Sequence, residues 1–224
     1  MATVTRRLDD VAVLRRVPYK VYVRLSRAWA NRHLRMAYHD GTLEIASPRR
    51  REHEKPSRRL SILVTTVAEL FGIDYEGSGA TTFRSGGKGP FRGIGKEPDQ
   101  SFYMASLPRL PEDREVDLDA GDPPPDLWIE VDNRVSSAGR LPVYSALGVP
   151  EVWRYRSQEG DLQFLRLVGT SYEVIDRSIA LPALTPALVL EALRMGDGLS
   201  ELKWLQRLRD WSRGLGGPPV VEPR

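Results

Sequence analysis

Residues 127–131 read Leu-Trp-Ile-Glu-Val, an almost wholly apolar run bounded upstream by Pro124-Pro125-Asp126. Apolar side chains at successive positions fill both faces of a strand, so this segment has to be buried rather than half-exposed. Its one polar member, Glu130, is then the main constraint on the chain. Burying a carboxylate is costly unless it is paired or binds a cation. The fold must therefore cover this strand and bring charge to the acid within it.

The surrounding sequence supplies the covering elements. Val21, Leu25, Ala28 and Trp29 repeat at helical spacing and predict a first helix over 18–32. Leu34, Met36, Tyr38 and then Leu43, Ile45 alternate on either side of Asp40-Gly41, which is the signature of a tight hairpin. A second helix is expected over about 49–71, with Leu60, Leu63, Val64, Val67, Leu70 and Phe71 in one stripe and Gly72 at its C-terminal cap. Extended chain over 73–84, a glycine-rich loop over 85–96 and a short strand over 100–104 follow. The proline- and acid-rich stretch 105–125 is expected to be loop, with Asp117 and Asp119 solvated. Beyond the central run come a helix over 140–147 with Pro142 in its first turn, a strand over 152–155 and a hairpin over 161–175. Two C-terminal helices end the fold, the second burying Leu202, Leu205 and Leu208, with Trp204 and Trp211 as further candidates for its buried face. This order predicts an α/β (α+β) domain, a mixed sheet flanked by helices. The expected organisation is a basic N-terminal arm over 1–15, one domain over 16–213 and a disordered tail over 214–224.

Charge and composition narrow the chemistry. Residues 1–60 carry 15 Lys/Arg against 6 Asp/Glu, whereas the remainder of the chain is net acidic and the whole is only +3. A basic segment on an acidic remainder suits a partner made of phosphates. There is no cysteine, which removes disulfides, thiolate metal sites and cysteine nucleophiles. No apolar run approaches a membrane span, and 1–16 lacks the apolar centre of a secretory signal, so a cytoplasmic protein is expected. Gly87-Lys88 and Gly95-Lys96 both lack the following Ser or Thr of a phosphate-binding loop, and no dinucleotide fingerprint or serine-nucleophile elbow occurs. His53-Glu54 has Ser57 where a zinc-protease helix needs its second histidine.

One constellation remains. Glu97-Pro98-Asp99 precedes the strand over 100–104, and Glu130 sits within the apolar run. Two carboxylates on neighbouring strand ends make a hard-oxygen site suited to magnesium, which can polarise a phosphodiester. These residues, with Arg140-Leu-Pro-Val-Tyr144, Gly148-Val-Pro-Glu-Val-Trp153, Ser47-Pro48 and His53-Glu54 in that setting, resemble the Uma-two family of restriction endonucleases within the PD-(D/E)XK nuclease superfamily. The resemblance spans roughly 15–210 and implies a restriction-endonuclease-like core, magnesium or manganese as cofactor, and DNA as partner, a homodimer being compatible with it. It also implies roles: Asp99 and Glu130 as catalytic metal ligands, Glu54 as an acid joining the metal, and Arg140 as the cation moved to the following helix. The usual lysine two residues after the acid is absent, because that slot holds Asp132. Two function classes follow: a magnesium-dependent endonuclease, or a nuclease-fold protein that binds nucleic acid or a protein partner without turnover.

Overall fold

The computed structural model describes residues 3–8, 11–31, 33–46, 51–104, 107–108, 110, 114–132 and 137–216. The Arg49-Arg50 pair, the side chains of Arg51 and His53, and most of the expected tail lie outside the described residues. Its elements build two sheets flanked by helices, an α/β architecture as the alternation of patterns predicts.

The first sheet holds β1 (Thr3–Leu8), β2 (Val11–Arg15), β3 (Arg35–His39), β4 (Thr42–Ala46), β6 (Phe83–Gly86), β7 (Gly93–Lys96) and β9 (Val116–Asp117), in the order β1-β2-β4-β3-β7-β6-β9. The second holds β5 (Tyr75–Gly77), β8 (Gln100–Met104), β10 (Leu127–Asp132), β11 (Glu151–Arg156), β12 (Asp161–Val168) and β13 (Ser171–Ile175), in the order β13-β12-β11-β10-β8-β5. The β3–β4 hairpin turns on Asp40 and Gly41, both at positive φ (41° and 86°), the backbone that Asp-Gly tolerates best. Most neighbours are antiparallel. The parallel β10–β11 pair is joined through a 3-10 turn (Ser137–Arg140) and α3 (Leu141–Ala146), with Pro142 in the first turn where its missing N–H costs nothing.

Strand β10 is buried at every residue because it separates two cores. Leu127, Ile129 and Val131 face the first, which is filled by Leu60, Leu63, Val64 and Val67 of α2 (Arg51–Phe71) and by α4 (Pro186–Arg194) and α5 (Glu201–Arg213). Trp128 points the other way, among Phe83, Tyr103, Val143, Tyr144 and Val152. Strand periodicity then places Glu130 and Asp132 on the Trp128 face. A third cluster, Val17, Tyr22, Met36, Tyr38 and Leu43, packs α1 (Tyr19–Arg27) on the first sheet.

Several expectations shift. The first helix ends at Arg27, and a 3-10 turn, Trp29–Asn31, replaces its last part. The stretch expected to be loop before β10 contains β9 and a short 3-10 turn, Leu118–Ala120, capped by the Asp117 carboxylate. Asp119 is likewise engaged, accepting from Ser85 Oγ and the Gly86 N–H. The glycine-rich segment is a hairpin as well as a loop: Gly95 lies against the Tyr22 ring, so the glycines there serve close packing. In α5 the buried face is Trp204, Leu208 and Ser212, whereas Leu202 is 66% exposed, because Trp204 takes the inward position and donates its indole N–H to Ala192 O at 2.9 Å.

Candidate functional site

The two acids singled out from the sequence meet where the sheets adjoin. The antiparallel register pairs Ile129 of β10 with Gln100 of β8, which sets Asp99 beside Glu130. The Asp99 N–H donates to Ile129 O at 3.1 Å, and Asp99 Oδ2 accepts the Val131 N–H at 2.7 Å. Its carboxylate is thus oriented by the backbone of the very strand that carries the second acid. Asp99 Oδ1 faces Arg35 Nη2 at 3.5 Å, and the same guanidinium nitrogen donates to Glu97 O at 2.7 Å and to Pro98 O. Arg35, on β3, therefore clamps the Glu97-Pro98-Asp99 turn in place.

Glu130 is 3% exposed and has the paired charge that its burial demands. Its Oε1 accepts the Trp128 indole N–H at 2.6 Å and lies 3.1 Å from Lys96 Nζ. Burial by itself pushes its pKa up, but Lys96, the indole hydrogen bond, Arg140 and Arg35 outweigh burial and hold the carboxyl below its ordinary range, so it is ionised at neutral pH. Lys96 ends β7 of the other sheet and is 5% exposed. Its pKa is lowered to about 8: burial is the main cause, Arg35 and Arg140 act in the same direction, and Glu130 opposes them.

Arg140 stands at the junction of the 3-10 turn and α3, where its Nε donates to Glu44 Oε2 of β4 at 2.8 Å. Its charge also reaches Glu130. Although burial disfavours the cation, the neighbouring Tyr144, Glu44 and Glu130 raise the Arg140 pKa above its usual value. Tyr144, one turn further along, is fully buried, and its hydroxyl has no hydrogen-bond partner among the described residues. Burial and the charge of Glu130 push its pKa well up, so the phenol stays protonated.

Asp132, which fills the slot where lysine is usual, is turned to structure. Its Oδ2 meets Arg154 Nε at 2.7 Å, and its Oδ1 accepts the Ser137 N–H at 2.8 Å. Glu54 lies on the exposed early part of α2, close enough to Arg35 for its charge to support that cation. Among the described residues no group of three or more acidic or histidine side chains assembles into a metal-binding cluster.

Sequence reasoning brought Asp99, Glu130 and Arg140 to this region and missed Lys96, Arg35 and Arg154. Lys96 was weighed only as the lysine of a phosphate-binding loop. Its signal was its place three residues before Asp99, at the end of a strand rather than in a loop. Arg35 and Arg154 carry no motif and become visible only through sheet register.

No helix among the described residues is long and apolar enough to cross a membrane. No curated protein matches the chain. Among solved structures, the chain is similar to a protein from Anabaena variabilis ATCC 29413 described as a putative nuclease belonging to DUF820, at 18% identity and a TM-score of 0.46, covering 79% of this chain and 90% of that one. The family model of Uma2, the Uma-two family of the sequence comparison, described as putative restriction endonuclease, matches residues 21–196, and the chain belongs to that family.

Proposed function

We propose that this protein is a divalent-metal-dependent endonuclease of the PD-(D/E)XK type that hydrolyses DNA phosphodiester bonds, with Asp99 and Glu130 holding magnesium or manganese. The observation that carries this reading is the joining of β8 and its preceding turn to β10, which holds the buried Asp99 against the backbone on either side of the buried Glu130, with a cation 3.1 Å from Glu130. Magnesium is commonly held by one or two carboxylates, with water and substrate phosphate completing its shell. Asp99 and Glu130 match that donor set, whereas Glu54 lies on the solvent side and does not join them in a three-ligand cluster. When bound, the ion polarises the phosphodiester and makes the attacking water more acidic.

The chain's own residues do the rest. The Val131 N–H and Arg35 fix the orientation of Asp99, and the Trp128 indole fixes that of Glu130. Arg140, held by Glu44, contributes positive potential where negative charge grows on the phosphoryl oxygens. The basic first sixty residues supply sequence-independent attraction for the DNA backbone.

The test is cleavage of plasmid DNA with magnesium, with manganese and with chelator, beside calorimetric titration of manganese into the parent, Asp99→Ala and Glu130→Ala. Cutting in either metal and none in chelator is expected, with both variants losing metal affinity and cleavage. Unchanged affinity in both variants refutes the site. A parent that binds DNA equally with and without metal, and never cuts it, refutes the nuclease reading in favour of a nucleic-acid-binding protein.

A further inference from the structure

We propose that Lys96 is the catalytic cation of this site, the group whose ammonium contacts a non-bridging oxygen of the scissile phosphate. The inference rests on the nuclease reading above and goes beyond it in assigning a residue on a different sheet from Glu130 and outside the usual motif slot.

The geometry leads there by steps. A phosphodiester is an anion, and it has to approach two carboxylates. Its transition state carries still more negative charge on the phosphoryl oxygens, so a cation already in place is worth more than one recruited from solvent. Three cations, Arg35, Lys96 and Arg140, surround Glu130. Arg35 holds the backbone carbonyls of Glu97 and Pro98 and faces Asp99, which makes it the clamp of that turn. Arg140 is bonded through Nε to Glu44, on a strand of the first sheet. Lys96 is the one whose charged atom touches Glu130 itself, at 3.1 Å.

Its other hydrogen-bond acceptor is Glu97 O, at 2.6 Å, with the Tyr144 ring centroid 6.0 Å away. These two acceptors take two of the three ammonium hydrogens. An ammonium on a flexible stem can turn its third hydrogen toward an incoming oxygen while keeping the other two bonds, which a guanidinium fixed in a fork cannot do. Lys96 and Asp99 also arrive on one continuous segment, leaving β7 of the first sheet and entering β8 of the second. The spacing between cation and acid is therefore set by three residues of backbone clamped by Arg35. Beside them lies the buried Tyr144, its ring centroid 6.0 Å from Lys96 Nζ and its hydroxyl without a hydrogen-bond partner among the described residues. The slot where a lysine is usual is closed to this role, because Asp132 is held by Arg154 and the Ser137 N–H.

The experiment uses the full chain with Lys96→Met and Lys96→Arg. It measures urea stability, manganese affinity by calorimetry, DNA affinity in calcium, and single-turnover cleavage of plasmid DNA at saturating protein. In a folded Lys96→Met protein the cleavage rate is expected to fall on the order of a hundredfold. Manganese affinity should be retained or higher, since Glu130 loses a competing cation, and DNA affinity should change little. Cleavage within about threefold of the parent overturns the proposal, as does loss of manganese binding, which would make the lysine an organiser of the acid instead. If Lys96→Met does not fold, Lys96→Arg decides: a folded protein slowed about tenfold or more supports the compact ammonium, and parent-like cleavage refutes it. A parent that cuts nothing in any metal fails the nuclease reading, and Lys96 with it. A cutting parent with an equally active Lys96→Met fails Lys96 alone.

Discussion

Glu151→Ala is expected to be among the most damaging single substitutions in the chain, although Glu151 lies in no catalytic arrangement. Glu151 opens β11 and is 0% exposed. Its Oε2 accepts the N–H groups of Ile179 and Ala180, each at 2.8 Å, and its Oε1 accepts the Trp153 indole N–H at 2.6 Å. The carboxylate thus ties the turn before α4 to the centre of the second sheet, while Trp153 stacks on Phe164 with ring centroids 4.4 Å apart. Truncation orphans three donors. A buried donor without an acceptor costs about 1–3 kcal/mol, which sets a gross scale of roughly 3–9 kcal/mol. Two effects reduce it: water admitted into the vacated space satisfies part of the set, and the parent's own cost of burying a carboxylate disappears. That cost is real, because burial raises the Glu151 pKa despite the donors around it. A net loss of about 3–4 kcal/mol is expected, a large part of the ~5–15 kcal/mol that holds a typical domain together. Urea unfolding followed by tryptophan fluorescence reads it as a midpoint lowered by more than about 1 M at the usual slopes of ~1–3 kcal/mol per M. A loss below about 1 kcal/mol with an unchanged slope refutes the anchoring argument.

Arg154→Ala removes the guanidinium that pairs with the buried Asp132 carboxylate, so a destabilisation of about 3 kcal/mol is expected by urea unfolding, and Arg154→Ala/Asp132→Asn should recover part of it. Gly95→Ala drives a Cβ into the Tyr22 hydroxyl and ring, beneath the stack of Tyr22 on Tyr38; a loss of about 1–3 kcal/mol is expected in thermal unfolding, with slower cleavage because β7 carries Lys96. Burial lowers the Lys96 pKa to about 8 in the folded protein, below the ~10.4 of a solvated lysine in the unfolded chain. Between those values the unfolded chain binds more protons, so this lysine's contribution to stability rises with pH through that window. Parent and Lys96→Met compared by urea unfolding at pH 8 and pH 10 should therefore diverge in favour of the parent at the higher pH, and parallel curves would refute the buried ammonium.

The local code of the chain was strong enough to state the main elements from sequence alone. Asp40-Gly41 dictates its hairpin because few other pairs accept two positive φ angles, and the apolar run at 127–131 has to be a buried strand wherever it lies. The same run announced that Glu130 needs a partner, since an unpaired buried charge is untenable. What that partner is could not be read along the chain. Lys96 is 34 positions away in sequence and belongs to the other sheet, so its 3.1 Å contact depends on how the two sheets adjoin. Asp132 gave a sign reversal in a motif slot, and only the β10–β11 register, which sets Glu130 opposite Arg154 and Asp132 opposite Arg156, brings the Arg154 guanidinium within reach of it. The conspicuous Gly148–Trp153 block marks the family, yet tertiary contacts assign its acid to holding a turn. Periodicity and turn chemistry are encoded within a few residues, whereas pairing of buried charges is decided by which faces meet, and that is a property of the packed sheets.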